Sequence, residues 1–413
     1  MDIVEKLCAG KIKLHEIEKE LSKELEWKEA NKRAAEIRLS LLEKELGLEL
    51  KEIRRAYVDL SKKGTTGIEQ QIGGAITPLG IAGPLKINGE YAKGSFWLPL
   101  ATNEAALVAG INRGCKAINK SGGVKVRVTR DFMARAPVLR AKDIGRASDV
   151  CKKIKEIFPE LKAAAEKESR VSKLLDIEPY QLGRLIFLRF RFSTGDSMGM
   201  NSATKYSASA VRRLLELVPD LELISLTSNL CTDKKASHIN VLLGRGKSVE
   251  TEVFIPKDVL QEIWSTTPEK MHELNVAKNY QGSALSGTIS GFNANVANTL
   301  AAMFIATGQD CAQLVESSSA FAWSEICDNG LRFGISMPCL EVATVGGGTE
   351  FGTALECLKM LGCAGPGKSP GENAKKLAEI MASAATAQEL NLIGTLTNDF
   401  ELAESHIRLA RGL

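Results

Sequence analysis

Aromatic side chains are scarce in this chain: Phe, Trp and Tyr make up 5% of its 413 residues. So few rings leave little material for the stacking surfaces with which proteins bind single-stranded nucleic acids. The formal net charge is only +4, which is also too small to provide the electrostatic footprint of a nucleic-acid-binding protein. We therefore predict that nucleic acid is not a partner.

Long hydrophobic runs are missing as well. A membrane-spanning helix needs about 20 consecutive apolar residues, and the most apolar stretch, 287–308, is interrupted by Asn293, Asn295 and Asn298. The first 13 residues alternate charged and apolar side chains, which is not the pattern of a signal peptide. The sequence therefore predicts a cytoplasmic protein that does not interact with a membrane.

Cysteine and histidine are placed in ways that narrow the possible chemistry. The nine cysteines are scattered and include no Cys-x-x-Cys pair. Cys115, Cys311 and Cys357 stand among apolar residues, so we expect reduced thiols in the core rather than disulfides or a zinc site. We predict no bound metal. The histidines restrict any imidazole chemistry to four positions, which are His15, His238, His272 and His406.

Hydrophobic residues make up 44% of the chain, and 36 residues are glycine. A chain of this length and hydrophobic content predicts a large core divided among two or three domains. Residues 12–46 have leucines and isoleucine at helical spacing among charged residues, and Gly47 is a plausible stop. This pattern predicts an amphipathic helix or a broken pair of helices. Such an arm packs on a partner subunit or forms an ordinary surface helix. Residues 64–100 are rich in Gly and Pro and predict strands and turns.

The remainder of the chain predicts an α+β fold. Residues 102–121 predict a helix, 124–139 predict strands, and 146–225 alternate between the two. The best core helices are 291–308 and 372–396. We divide the chain into three parts: a helical N-terminal arm, 1–63; a large helix-centred domain, 64–136 with 226–413; and a small α/β domain inserted into it, 137–225.

An acid followed by two lysines, Asp233–Lys235, stands between the apolar segments 221–226 and 239–243, which we expect to be buried. Burying a lysine costs several kcal/mol unless an anion meets it. The motif therefore indicates either a solvated loop between two strands or a site for a substrate carboxylate or a developing oxyanion. The local sequence leaves both interpretations open.

Two glycine-containing motifs could bind phosphate. Residues 362–369 fit the pattern G-x-x-x-x-G-K-S, but a phosphate loop follows a strand, whereas 354–361 predicts a helix. Pro370 also disfavours a helical conformation at Ser369, so we interpret this motif as a connection before the helix at 372. Gly195–Asn201 places an acid between glycines at the start of a helix, which suits either a dinucleotide or an ordinary strand-to-helix turn.

Three further polar residues have ordinary explanations when each is taken singly. Glu104 is an acid in the first turn of a helix, Asp310 is a loop acid, and His406 lies seven residues from the C-terminus. Taken together with the ordered motifs, however, they indicate a family. The chain resembles 3-hydroxy-3-methylglutaryl-CoA (HMG-CoA) reductase of class I, in its soluble archaeal type, over residues 12–411. The motifs that carry the resemblance are Pro78–Leu85, Glu104, Arg135, Gly195–Asn201, Asp233–Lys235, Gly244–Val249, Gly282–Ala284, Gly291–Ala294, Gly308–Asp310, Val345–Thr349 and Ser405–His406.

The resemblance implies reduction of (S)-HMG-CoA to mevalonate and CoA by two NADPH, a four-electron reaction of isoprenoid biosynthesis. It also implies that the inserted domain is ferredoxin-like and binds NADP, and that the chain forms a homodimer or homotetramer with active sites between subunits. Two alternatives stay open. One is an NADH-preferring or diverged reductase that acts on a related acyl-CoA thioester, and the other is an ATP-binding protein that uses residues 362–369. The chain departs from the family pattern at five positions: Gln70, Gly74, Ala105, Ala236 and Asn295.

The resemblance also assigns roles to individual residues. Lys234 would stabilise the oxyanion, His406 would protonate the CoA thiolate, Glu104 would protonate the reduced aldehyde, and Asp310 would link these groups. The residues implied to bind the substrate are Arg135, Thr227, Ser228, Asp233, Lys235, Lys278 and Asn298, and those for CoA are Asn112, Arg113 and Lys116. Those implied to bind NADPH are Ser169 and Arg170, at the 2′-phosphate, with Asp196, Met198, Asn201, Gly346 and Gly347.

Overall fold

The N-terminal segment is helical in the computed structural model, which describes residues 3–59, 67–398, 401, 403, 404 and 407. The predicted helix over 12–46 is a broken pair, because a turn separates α2 from α3, and Gly47 ends α3 in the left-handed conformation, at φ 66°. Buried Arg38 forms an ion pair with Glu18 and so joins the two helices. The elements are α1 Ile3–Cys8, a 3₁₀ turn Leu14–Glu16, α2 Ile17–Leu21, α3 Trp27–Leu46 and α4 Lys51–Arg55.

Ten strands of the described residues form one sheet, whose pairs are antiparallel except for β1 with β3. The long β3 connects its two halves: the start of β3 pairs with β8, and its last residues pair with β6. The strands are β1 Leu79–Asn88, β2 Lys93–Ala101, β3 Val124–Arg135, β4 Val138–Arg140, β5 Lys173–Leu182, β6 Leu185–Ser193, β7 Glu222–Ser225, β8 Gly246–Pro256, β9 Phe321–Cys327 and β10 Gly330–Leu340.

The larger hydrophobic core lies around one central helix, as the composition of 372–396 predicted. Every residue of this helix from Leu377 to Asn391 is buried, and its many alanines let it pack against neighbours on all sides. Two acids on it, Glu379 and Glu389, are also fully buried. The helices of this part are α5 Leu107–Lys120, α10 Lys257–Trp264, α11 Pro268–Leu274, a π-helix Asn275–Gly282, α12 Ser283–Leu285, α13 Val296–Ala306, α14 Leu314–Ser317, α15 Gly352–Met360 and α16 Glu372–Leu396, with 3₁₀ turns Cys311–Gln313 and Gly347–Glu350.

A second hydrophobic core is built from residues between Met133 and Leu221. Strands β4, β5, β6 and β7 lie in the spatial order β7-β4-β6-β5, all antiparallel. Their helices are α6 Ile144–Glu156, α7 Phe158–Glu166 and α8 Met200–Leu217. The chain thus passes through a strand, helices, two strands, a helix and a strand, with the helices packed against one sheet.

The structure corrects three expectations from the sequence. The segment after Lys235 is not a strand but a short helix, α9 His238–Leu243, because Ser237 caps its first turn. The apolar flanks of the lysine pair are not fully buried: Leu242 is 72% exposed and Ile224 is 42% exposed. The Cys311 thiol is exposed rather than in the core. Among the described residues, no helix is long and apolar enough to cross a membrane.

Candidate active site

Lys234 and Asp310 form the first predicted pair that the structure brings together. The Lys234 ammonium lies 3.3 Å from an oxygen of the Asp310 carboxylate, and both side chains are nearly half exposed. Lys234 has the left-handed backbone conformation, with φ at 57°. A non-glycine residue keeps that conformation only when its surroundings hold it. Here the Lys234 amide donates a hydrogen bond of 2.8 Å to the carboxylate of Glu316.

A buried arginine holds the backbone under Lys234. The Arg245 guanidinium is fully buried and lies 2.9 Å from Asp233 and 2.6 Å from Glu316, and it also contacts Glu341. Oxygens of these three carboxylates lie within 4.8 Å of one another, a spacing that could hold a metal ion, but the guanidinium already lies among them. Burial raises the pKa of Glu341 well above its ordinary value. Arg245 opposes this rise, but the carboxylates of Glu316 and Asp233 add to it.

Gln313 connects this buried cluster to the exposed pair. Its side-chain amide donates to Asp233 at 3.1 Å and to Asp310 at 3.4 Å. Arg245 and Gln313 therefore donate to the same oxygen of Asp233, and Asp310 contacts Gln313 and Lys234. We call the buried group formed by Arg245, Asp233, Glu316 and Glu341 the arginine cluster. Through Gln313 and the Lys234 amide, the arginine cluster positions the exposed lysine–aspartate pair.

Glu104 and Asn298, which were predicted separately, form a second pair in the structure. The Asn298 amide donates a hydrogen bond of 2.9 Å to the Glu104 carboxylate. Asn298 lies in the first turn of α13. Just before this turn, the backbone amides of Ala294 and Asn295 donate hydrogen bonds of 2.8 and 2.6 Å to buried Glu389. Glu389 thereby holds the start of the helix that carries the partner of Glu104.

The ionisation of Glu389 predicts a pH-dependent stability. Burial raises the pKa of Glu389 from 4.5 to about 7 in the folded chain. Between these values the folded state holds a proton that the unfolded state has lost, so the free energy of unfolding falls as pH rises through this window. We expect this group to account for a fall of about 3 kcal/mol, which urea unfolding at about pH 5 and about pH 8 would measure.

Glu389→Gln is the variant that isolates this effect, since glutamine stays neutral at both pH values. Its loss of stability between the two pH values should be smaller than that of the unchanged chain by about 2 to 3 kcal/mol. Exposed Glu273 on α11 provides the control, and Glu273→Gln should leave the pH dependence as it is. Equal pH dependence in Glu389→Gln and the unchanged chain would contradict the raised pKa.

Three of the predicted substrate-binding residues, Arg135, Thr227 and Ser228, meet at the end of β3. The Arg135 guanidinium donates to the Thr227 hydroxyl at 3.2 Å. The Ser228 hydroxyl donates to the Ala136 carbonyl at 2.8 Å, so it also supports the loop. The Lys235 ammonium is exposed and donates to the carbonyl of Asp233 at 3.2 Å. Lys278, on the π-helix, is exposed, and its charge acts on Glu389.

The predicted CoA-binding residues share α5. Asn112 and Lys116 are exposed and one turn apart, so they lie on one face of the helix, and the Asn112 side chain accepts a bond of 2.7 Å from the Gly83 amide. Arg113 donates twice to the Ile263 carbonyl, at 3.1 and 2.6 Å, and pairs with Glu401. Arg113 thus ties α5 to the end of α10, and CoA binding by these three residues stays a prediction.

Two cavities that share a wall contain most of the predicted cofactor residues. The inner cavity, of about 550 Å³, is lined by Met198, Asn201, Gly346 and Gly347, and by Asp310. The outer cavity, of about 600 Å³, is lined by predicted residues and by a loop that the prediction did not include. The outer lining includes Arg170, Ser172, Asp196, Gly367 and Lys368, and both cavities share Ser197, Ser202 and Val345.

Asp196 is fixed by the backbone more completely than its motif indicated. Its carboxylate accepts bonds of 3.1 Å from the amides of Gly367 and Gly371, and of 3.0 Å from that of Ala374. Its carbonyl accepts from the amides of residues 344–345, at 2.9 and 3.2 Å. Asp196 therefore fastens the start of α16 and two loops to the turn before α8.

The cations of the outer cavity fit a phosphate-bearing cofactor such as NADPH. Within the described residues, Arg170 makes no salt bridge, although it lines the cavity beside two acids, Glu168 and Asp196. The Ser169 hydroxyl lies next to it and donates to the Ser172 carbonyl at 2.7 Å. An arginine without an acidic partner at the mouth of a cavity is available for an anionic ligand.

Apart from Asp233, the sequence prediction missed the residues of the arginine cluster, and it also missed Gln313. The one signal for Arg245 is its position between Gly244 and Gly246, both at positive φ, immediately before β8. Glu316 and Glu341 carried no signal, because their partner lies about 70 and 96 residues away in sequence. Only the fold brings these groups together.

Comparison with solved structures identifies the fold. The structure of the class II 3-hydroxy-3-methylglutaryl-CoA reductase from Streptococcus pneumoniae, bound to NADPH in open conformations, matches with a TM-score of 0.65. The match covers 88% of this chain and 97% of that chain at 18% identity. At this identity it shows a common fold, that of an HMG-CoA reductase.

Sequence comparison then gives the family itself. The family model of hydroxymethylglutaryl-coenzyme A reductase matches residues 34–411. The 3-hydroxy-3-methylglutaryl-coenzyme A reductase of Pyrococcus abyssi is 44% identical over 99% of this chain and 99% of its own length. That of Aeropyrum pernix is 44% identical over 100% of this chain and 96% of its own length. The chain belongs to the HMG-CoA reductase family, and the predicted likeness to the archaeal enzymes is confirmed.

Proposed function

We propose that this chain, an HMG-CoA reductase that reduces HMG-CoA to mevalonate, uses two molecules of NADPH in each turnover. The observation that supports the proposal is the pair of joined cavities. The inner cavity is lined by Asp310, which pairs with Lys234, and the outer cavity is lined by Arg170. A dinucleotide that spans both cavities would have its phosphate-bearing end at Arg170 and its reactive end beside the lysine–aspartate pair.

Lys234 is the group that would stabilise charge on the substrate. NADPH, when bound, supplies hydride, and hydride addition to a thioester places negative charge on the carbonyl oxygen. A positioned ammonium group stabilises such a charge by about 3 to 4 kcal/mol in the transition state. Asp310 holds the ammonium in place at 3.3 Å, and the arginine cluster fixes the backbone of Lys234.

Proton transfer requires two further groups. We assign Glu104 as the acid that donates a proton to the alkoxide oxygen as the aldehyde is reduced to the alcohol, with Asn298 holding one of its oxygens at 2.9 Å. The sequence assigns the CoA thiolate to His406, which lies outside the described residues, so this role stays a prediction. An imidazole titrates near neutral pH and suits protonation of a thiolate.

The anionic end of the substrate would bind at the end of β3. Arg135 can clamp a carboxylate with two donors, its Nη1 already faces Thr227, and exposed Lys235 follows Lys234 by one residue. This arrangement would place the two lysines on different parts of one substrate. Lys234 would act on the thioester oxygen, and Lys235 with Arg135 would hold the carboxylate.

The division into domains and the assembly are part of the proposal. We propose that 137–225 is a ferredoxin-like domain that binds NADPH, a role supported by its separate core and its β7-β4-β6-β5 strand order. We also propose a homodimer or homotetramer in the cytoplasm. Support comes from exposed apolar side chains outside the cavities, such as Leu285, Ile289 and Ile76, which are 92%, 55% and 71% exposed.

A stoichiometry assay tests the proposal. The purified chain is mixed with HMG-CoA and excess NADPH, and the loss of NADPH absorbance is compared with the mevalonate and free thiol that form. We expect two NADPH to be oxidised for each mevalonate and each thiol released. Acetyl-CoA, whose acyl group carries no carboxylate, serves as the control and should support little oxidation. Oxidation of one NADPH per thiol, or none with HMG-CoA, would contradict the proposal.

A further inference from the structure

The loop between α15 and α16 contains a phosphate-loop-like motif that the proposed reaction leaves without a role. Residues 362–369 have the G-x-x-x-x-G-K-S pattern, but the loop follows a helix, α15, rather than a strand. In the structure this loop forms part of the wall of the outer cavity, which Lys368 lines together with Arg170. The motif thus lies at the proposed cofactor site, although it is not a phosphate loop in the usual setting.

The backbone on either side of Lys368 is fixed. Asp196 accepts hydrogen bonds of 3.1 Å from the amides of both Gly367 and Gly371, which bracket the lysine. Gly367 has no space for a side chain, because a Cβ there would lie 2.6 Å from the Cβ of Glu372. The loop therefore holds the Lys368 backbone against the turn that contains Asp196, and only the flexible side chain is free to move.

The charges around the outer cavity leave Lys368 available. The acids of its lining are Glu168, which pairs with Lys205 at 2.6 Å, and Asp196, whose oxygens accept from backbone amides. The neighbouring Glu372 accepts from the amide and hydroxyl of Ser369, at 2.9 and 3.2 Å. In the described part of the chain, neither Lys368 nor Arg170 has a carboxylate within 4.0 Å. Two unpaired cations therefore line one cavity.

We propose that Lys368 is a second cation for the 2′-phosphate of NADPH, beside Arg170, and so helps the chain to prefer NADPH to NADH. The inference rests on the proposed use of NADPH. A phosphate monoester carries close to two negative charges at neutral pH, which matches two cations better than one. Because Lys368 is exposed, we expect its contact to contribute about tenfold in affinity rather than more.

Calorimetric titration with adenosine 2′,5′-bisphosphate and with adenosine 5′-monophosphate tests the proposal without any turnover. The two probes differ in the 2′-phosphate. Lys368→Ala should weaken binding of the bisphosphate about tenfold and binding of the monophosphate less than twofold, and Lys368→Arg should restore most of the loss. Lys359→Ala removes an exposed lysine of α15 that does not line the cavity, and it should bind both probes as the unchanged chain does.

Arg170→Ala separates failure of this inference from failure of the proposed function. Loss of bisphosphate affinity in Arg170→Ala but not in Lys368→Ala would overturn the role of Lys368 and leave the proposed cofactor site intact. Equal binding of both probes by the unchanged chain would contradict the proposed position of the 2′-phosphate in this cavity, and therefore the proposed role of Lys368. Tight binding of MgATP that Lys368→Ala abolishes would instead make residues 362–369 a phosphate loop and would also overturn the proposal.

Discussion

Lys234→Met should lower kcat for reduction of HMG-CoA by about a hundred- to a thousandfold, because it removes the ammonium that faces the developing oxyanion. Methionine keeps much of the aliphatic length of lysine. The backbone should stay in place, because the bond from the amide of residue 234 to Glu316 does not involve the side chain. The Lys234 side chain is 46% exposed, so its removal should change the free energy of unfolding little.

The adjacent lysine gives the matched control for this variant. Lys235→Met removes the same charge from the next residue, but in the proposed mechanism that charge holds the substrate carboxylate. It should therefore raise KM for HMG-CoA by about tenfold and lower kcat less than Lys234→Met does. Steady-state rates at saturating NADPH, with denaturant unfolding of each variant, would distinguish the two patterns. Equal effects of the two substitutions on kcat would show that the lysines do not have separate roles.

The sequence predicted the exposed candidate catalytic side chains better than the buried side chains that position them. Lys234, Asp310 and Glu104 were assigned from motifs and Asn298 from the family resemblance, and the structure pairs them as Lys234–Asp310 and Glu104–Asn298. Arg245 was quoted only as part of a motif and was given no role. A buried charge is stable only when groups of opposite charge lie beside it. The carboxylates that pair with Arg245 come from three separate parts of the chain.

The errors on either side of the lysine pair have a physical cause as well. An apolar run such as 239–243 predicts burial, but a short amphipathic helix can bury one face and expose another, and Leu242 is on the exposed face. Asp196 shows the opposite case. Its glycine-flanked motif predicted a residue that faces a dinucleotide, and the structure adds a second role, because its carboxylate accepts hydrogen bonds from the amides of Gly367, Gly371 and Ala374 in and before the first turn of α16. Local sequence cannot show which distant amides lack a partner.

The arginine cluster predicts the largest change in stability. Arg245→Met should lower the free energy of unfolding by about 3 to 5 kcal/mol, because it leaves Asp233, Glu316 and Glu341 close together without their cation. The matched control is Arg332→Met on β10, since Arg332 is 40% exposed and pairs with Glu325 at 3.0 Å. Its loss should lower the free energy of unfolding by at most about 1 kcal/mol. Urea unfolding of both variants measures the difference.

The defect of Arg245→Met should shrink as pH falls. Burial raises the pKa of both Glu316 and Glu341, and Arg245 opposes that rise, so removing Arg245 should raise both pKa values further. Carboxyls whose folded pKa is raised destabilise the fold as pH increases above their unfolded value, and protonation relieves the repulsion. We therefore expect the variant to differ from the unchanged chain most above neutral pH and least near about pH 5.

Adding Glu341→Gln to Arg245→Met should recover part of the lost stability, because it removes one of the uncompensated charges. A defect that is the same at both pH values and unaffected by Glu341→Gln would show that the arginine acts through packing alone, and not as the cation that supports the backbone of Lys234.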